Sequence, residues 1–110
     1  MADNDEMDLI TAVVRRANAE ATLEAALKAS APGVTYFAGR GSGVKENLGY
    51  AGTLIESEKE VFLVVTKKEE TDKVLKAIVE AANLSLPGEG FAFVQPVTKA
   101  VGFIPAEKDA

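Results

Sequence analysis

Gly39-Arg40-Gly41-Ser42-Gly43-Val44-Lys45-Glu46-Asn47-Leu48-Gly49-Tyr50-Ala51-Gly52 holds five of the chain's nine glycines. It lies between two apolar runs, Val34–Phe37 and Val61–Val65, that are rich in strand formers. The connection from 39 to 59 is too long for a tight hairpin. Structureless connections of this length inside a compact domain are usually either functional or disordered. The chain is therefore read as two halves joined by a working loop.

Outward from the loop, each half repeats one pattern. Leu9–Val14 is almost continuously apolar and reads as a buried strand. Between Asn18 and Ser30 the period changes. Ala19, Thr22, Leu23, Ala26 and Leu27 share one face, and Glu20, Glu24 and Lys28 take the other, which predicts an amphipathic helix. Asn18 is the expected N-cap, and Pro32-Gly33 the expected stop. Val34–Phe37 is the second strand. After the loop, Glu60–Val65 is the third. Thr66-Lys67-Lys68-Glu69 then has the form of a capping box. It opens a second helix with Val74, Leu75, Ile78, Val79 and Ala82 on its apolar side and Asn83 at its C-terminal cap. Leu86–Gly90 is a glycine-rich turn. Phe91–Val94 is the fourth strand; Pro96 interrupts it, and a strand proline belongs at a sheet edge or a bulge. Val101–Ile104 offers a short fifth strand.

The order is βαββαβ. Two such units in tandem predict an α+β, ferredoxin-like sandwich with both helices on one face of an antiparallel sheet. One domain accounts for residues 1–110, with 1–6 and 106–110 as tails. The strands are apolar throughout, so the helix-free face also needs cover, and the sheets of neighbouring subunits supply it. A hydrophobic fraction of 47% and a mean hydropathy of +0.06 fit either a rich core or apolar surface buried between subunits.

Composition excludes several functions. The chain has no Cys and no His, which removes disulfides, thiol nucleophiles, the commonest general base and the commonest zinc ligands. No metal is expected. A net charge of −5 without a basic run, and 6% aromatics, argue against nucleic acid as a partner. No signal peptide and no apolar run of membrane-spanning length is present, so a cytoplasmic protein without direct membrane insertion is expected.

The candidate sites are glycine-rich or basic. Gly39-Arg40-Gly41-Ser42-Gly43 has the alternation that lets backbone N–H groups converge on an anion, with Arg40 and Lys45 beside it. It opens no helix, so it is neither a P-loop nor a dinucleotide fingerprint. On pattern alone a plain strand connection is the more economical reading. Pro87-Gly88-Glu89-Gly90 reads as a turn. Arg15-Arg16 and Lys67-Lys68 follow strands at equivalent points of the repeat. They either meet an anion together at one sheet edge or are ordinary solvated charge. Glu56, Glu58 and Glu60 alternate as on a solvent face, and no acid–base pair stands out.

From Met7 to Glu107 the chain resembles the PII signal-transduction family. The resemblance is carried by Ile10-Thr11-Ala12-Val13-Val14, Gly33-Val34-Thr35, Gly41-Ser42-Gly43, the Val61–Val65 strand, and Gly88-Glu89-Gly90 in place of the family's G-D-G turn, followed by Phe93-Val94. The long loop corresponds to the family's T-loop, and Leu84–Gly90 to its B-loop. The resemblance implies a non-enzymatic homotrimer that binds an adenine nucleotide (ATP, ADP or AMP) in clefts between subunits. It also implies a T-loop that docks on a partner, often a membrane transporter, and so recruits the protein to the membrane. By position, Val13, Thr35 and Val64 would lie around the adenine. Gly41, Gly43, Gly88, Glu89 and Gly90 would wrap sugar and phosphates, with Arg40 and Lys45 supplying charge. Three departures bear on the phosphates. The family's lysine after the G-D-G turn is Phe91 here, and two arginines of its C-terminal segment fall at Gly102 and Ile104. The loop is also shorter, and the context of Tyr50 does not match the family's uridylylation motif. A nucleotide-free assembly trimer of CutA-like architecture is the alternative. An enzyme on the same fold finds no catalytic group.

Overall fold

The computed structural model describes residues 6–41 and 57–102. It contains β1 (Met7–Arg15), a 3-10 turn (Arg16–Asn18), α1 (Ala19–Lys28), β2 (Thr35–Gly41), β3 (Ser57–Lys67), α2 (Lys68–Ala81) and β4 (Gly90–Val97). The four strands form one sheet in the order β2-β3-β1-β4, every neighbouring pair antiparallel. This is the α+β, ferredoxin-like arrangement expected from the repeat.

Strand periodicity sorts the side chains into two faces. Ile10, Ala12 and Val14 of β1 share a face with Phe62, Val64 and Thr66 of β3, and all six are fully buried. Val74, Ile78 and Ala82 pack onto them from α2, and Ala26 from α1. Tyr36 of β2 extends this core at the sheet's edge, its ring stacked on Phe62 at 5.1 Å. The opposite face carries Leu9, Thr11 and Val13 of β1, Phe37 of β2, Val61, Leu63 and Val65 of β3, and Phe91 and Phe93 of β4. No element of the described chain covers it. Phe37, Phe91 and Phe93 are 49%, 55% and 44% exposed.

Several local expectations are corrected. β2 does not end at Phe37. It continues through Gly39-Arg40-Gly41, paired with Lys59, Glu58 and Ser57. The first glycines of the long stretch are therefore strand, held by the ladder that β3 offers. Asn18 does not cap α1 with its side chain. Its amide nitrogen instead reaches the Ala82 carbonyl and Glu89 Oε1, each at 3.4 Å. The capping box before α2 does not form either. Thr66 is buried, and its hydroxyl hydrogen-bonds Thr71 Oγ1 at 2.7 Å, while Thr71 donates to Asp8 Oδ2 at 2.7 Å. One hydroxyl has one proton, so Thr66 donates to Thr71. Leu27 is 49% exposed and lies on the flank of α1, whose contact stripe is the smaller Thr22 and Ala26. β4 runs unbroken through Pro96 as an edge strand. No strand includes Val101 or Gly102, and the rest of the proposed fifth strand lies outside the described residues.

α1 ends before Pro32-Gly33 is reached, by the same device as α2. Ser30 has φ +84° and Asn83 φ +58°. Ala31 N–H donates to Ala26 O at 3.1 Å, and Leu84 N–H to Val79 O at 3.0 Å, the six-residue closure of a Schellman motif in both cases. The internal repeat thus extends to the backbone.

Two stability outcomes are expected. Thr71→Val leaves Asp8 and Thr66 without their buried partner and should lower the unfolding free energy by about 1–3 kcal/mol in denaturant titration. Ser30→Gly removes a side chain from the left-handed region and should raise it by about 1 kcal/mol.

Candidate functional site

The strand register decides which candidate residues meet. Arg15, at the end of β1, lies opposite Lys59 at the start of β3, which in turn lies opposite Gly39 near the end of β2. On the other side of β1, Val14 lies opposite Gly90 at the start of β4. One end of the sheet therefore collects Arg15 and Arg16, Gly39–Gly41, Glu58 and Lys59, and Gly88–Gly90. Lys67 and Lys68 lie at the other end, because Lys67 is opposite Met7. The two basic pairs do not share an edge. They follow antiparallel strands, which point opposite ways.

Arg15 and Arg16 bridge the collected end. The Arg15 guanidinium pairs with Glu89 Oε2 at 3.4 Å, inside the Gly88–Gly90 turn. That of Arg16 pairs with Glu58, beside the foot of the long loop. The hydrogen bond to Glu58, and then the charges of Glu58 and Glu60, raise the Arg16 pKa above its ordinary value, with the little desolvation present pulling the other way. Arg16, Ala38, Gly39, Arg40, Glu58 and Lys59 line an open pocket of about 270 Å³. Glu58 is thus an ion-pair partner as well as a residue of an exposed strand end. Sequence reasoning did not single out Arg16 as a site residue apart from the basic pair. Its signal was a second consecutive arginine at the point where the strand turns away.

The glycine turn is set by close approach. Gly90 has φ +134°, and a Cβ placed on it would lie 2.1 Å from the Val13 carbonyl oxygen. Gly88 also has positive φ, at +81°. The turn is pressed against the end of β1, and Asn18 and Arg15 hold Glu89 beside it.

The remaining candidates are dispersed. Val13 is on the helix-free face, directly opposite Phe91. Thr35 lies on the same face at the start of β2, opposite Leu63. Arg40 and Gly41 are at the end of β2, Arg40 directly opposite Glu58. Val64 is fully buried on the helix side, where its side chain belongs to the core. Gly43 and Lys45 lie outside the described residues. Within one subunit β2 and β4 are the two edges of the sheet, three strand spacings or about 14 Å apart. Among the described residues no group of three or more His, Cys, Asp or Glu is placed to hold a metal, and no helix is long and apolar enough to cross a membrane.

Replacing Gly90 by Ala forces a clash with the β1 backbone. It should detach the turn, lower stability by more than about 2 kcal/mol and increase amide hydrogen exchange at Glu89 and Phe91.

This arrangement has known counterparts. The crystal structure of Arabidopsis thaliana PII bound to citrate matches with a TM-score of 0.67 and 28% sequence identity, over 86% of this chain and 79% of that one. A comparison with curated proteins finds no match. The family model for nitrogen regulatory protein P-II matches residues 7–106, the whole of the described fold, and the chain belongs to the P-II family of signal-transduction regulators, which act by binding rather than by catalysis.

Proposed function

We propose that the chain is a homotrimeric regulator that senses an adenine nucleotide (ATP, ADP or AMP) in clefts between subunits and transmits the bound state to a partner protein through the 39–59 segment. The observation that carries this reading is the placement of the two glycine segments. They share one end of the sheet but occupy opposite edges, too far apart to enclose one small ligand within a subunit. A neighbouring subunit brings the β2 edge of one copy against the β4 edge of the next. Arg40 and Gly41 then face Gly88, Glu89 and Gly90, with Val13 and Thr35 bordering the cleft from the helix-free faces. Gly43 and Lys45 belong to the same proposed site by the family resemblance alone and lie outside the described residues. Val64 contributes only core support.

The apolar sheet face supports the assembly. It presents aromatic and branched side chains on all four strands, a surface that water leaves when copies pack together. The citrate held by the Arabidopsis relative supports a small anionic effector. Binding moves the loop only if the ligand contacts one of its conformations better than another. Phe91, in place of the family's lysine, removes a cation at the turn, so affinity for triphosphates is lowered relative to diphosphates or monophosphates. A membrane transporter is the partner class we favour, with a cytoplasmic protein recruited to the membrane through it.

Calorimetry with ATP, ADP, AMP and citrate tests the reading, and heat from none of them at millimolar concentration would overturn the sensing function. Sedimentation tests the assembly. Phe93→Glu places a charge in the apolar face and should convert the trimer to monomer at micromolar concentration. A wild-type chain that sediments as a monomer would overturn the inter-subunit cleft. A trimer that binds no nucleotide would favour a purely structural assembly.

A further inference from the structure

We propose that Arg15 and Arg16 are the anion-binding pair of this chain, and that Glu58 and Glu89 are internal counter-ions which a multiply charged anion displaces. The proposal deepens the reading of the cleft as a ligand site and rests on it.

Charge and position carry it. The chain has a net charge of −5, yet Arg15, Arg16, Arg40 and Lys59 gather at one end of the sheet. Arg15 and Arg16 are consecutive, but their guanidinium groups diverge. One reaches the glycine turn beside β4, the other the pocket beside β2. In each proposed cleft, Arg16 of one copy reaches the β2-side segment and Arg15 of the next copy reaches the β4-side segment. Each guanidinium is at least half exposed, and among the described residues Arg15 pairs with Glu89 and Arg16 with Glu58, with Glu60 near enough to add its charge to the latter. The Arg16–Glu58 pair is exposed on both sides, and such pairs are weak and readily exchanged for another anion. Glu89 is more enclosed and keeps Asn18 as a partner when Arg15 leaves it. A phosphate or carboxylate group offers the same planar fork a bidentate partner without moving the backbone.

The position of the counter-ions gives displacement a consequence. Glu89 sits between Gly88 and Gly90 in a turn fixed against β1. Glu58 sits one residue inside β3, beside the foot of the loop. An anion that takes Arg16 frees Glu58 and removes the side-chain tie between the end of β1 and the loop's base. Ligand charge is thereby coupled to the loop through one ion-pair exchange.

The ligand class is an anion of two or more charges. Nucleotide phosphates and tricarboxylates share this chemistry, and inorganic phosphate is its simplest probe. The experiment is calorimetry of wild type, Glu58→Gln, Glu89→Gln and Arg16→Gln with ADP, citrate and inorganic phosphate at two salt concentrations. Removing a counter-ion should tighten binding about three- to fivefold in each Glu→Gln variant. Arg16→Gln should weaken it at least tenfold and flatten the salt dependence. These opposite signs are the test. If Arg16 merely held the loop through Glu58, Arg16→Gln and Glu58→Gln would weaken binding alike, and that result overturns the proposal. Anion binding indifferent to all three substitutions overturns it too, as does no anion binding by any variant. Binding of citrate or phosphate without ADP would overturn the nucleotide reading and leave this one standing.

Discussion

The sheet is apolar on both faces, but the chain has helices for only one. That imbalance constrains everything else. α1 and α2 cover Ile10, Ala12, Val14, Phe62 and Val64 completely. On the other face Phe37, Phe91 and Phe93 remain about half exposed. A larger monomer covers such a face with an added layer. Among the described residues no segment supplies that layer here. Covering the face with other copies of itself is the economical solution. In the trimer proposed above, the same packing would turn the two edges of each sheet into the walls of shared clefts.

The architecture was legible in the sequence because its signals are periodic and redundant. The change from period two to period 3.6 occurs twice, with a glycine or proline turn after each helix. What the sequence did not disclose was what polar side chains would do once tertiary partners were available. Asn18 and Thr66 have the residue types of helix caps. Asn18 instead bonds to Ala82 and Glu89, far away in sequence, and Thr66 bonds to Thr71, which in turn reaches Asp8 on β1. A local cap satisfies one N–H, whereas Asn18 ties a helix-end carbonyl to the glycine turn and Thr66 completes a buried chain of hydroxyls ending on Asp8. Similarly, Gly39-Arg40-Gly41 has weak strand propensity, but β3 presents an open ladder edge, and pairing overrides propensity.

The site was legible in part. Both glycine segments were visible as composition, and Gly90 proved to be a glycine for a reason that sequence alone does not reveal: the Val13 carbonyl occupies the place of its side chain. The basic pairs show the opposite case. Arg15-Arg16 and Lys67-Lys68 look equivalent in the repeat, yet antiparallel pairing sends them to opposite ends of the sheet. Equivalence by internal repeat is not proximity.

In the proposed cleft, the charge lost from the family's usual places is made up at the end of β1. Phe91 follows the glycine turn where the resemblance leads one to expect a lysine, and Gly102 stands where it leads one to expect an arginine. A cation at the end of β1 serves the same volume, because Val14 and Gly90 are neighbours in the ladder and Arg15 already touches Glu89. Moving the charge from β4 to β1 leaves Phe91 free to join the apolar face, where its ring stacks with Phe93 at 6.2 Å. On the reading proposed above, the substitution would add to the assembly surface and place anion recognition on β1, a strand paired on both sides, rather than at a sheet edge.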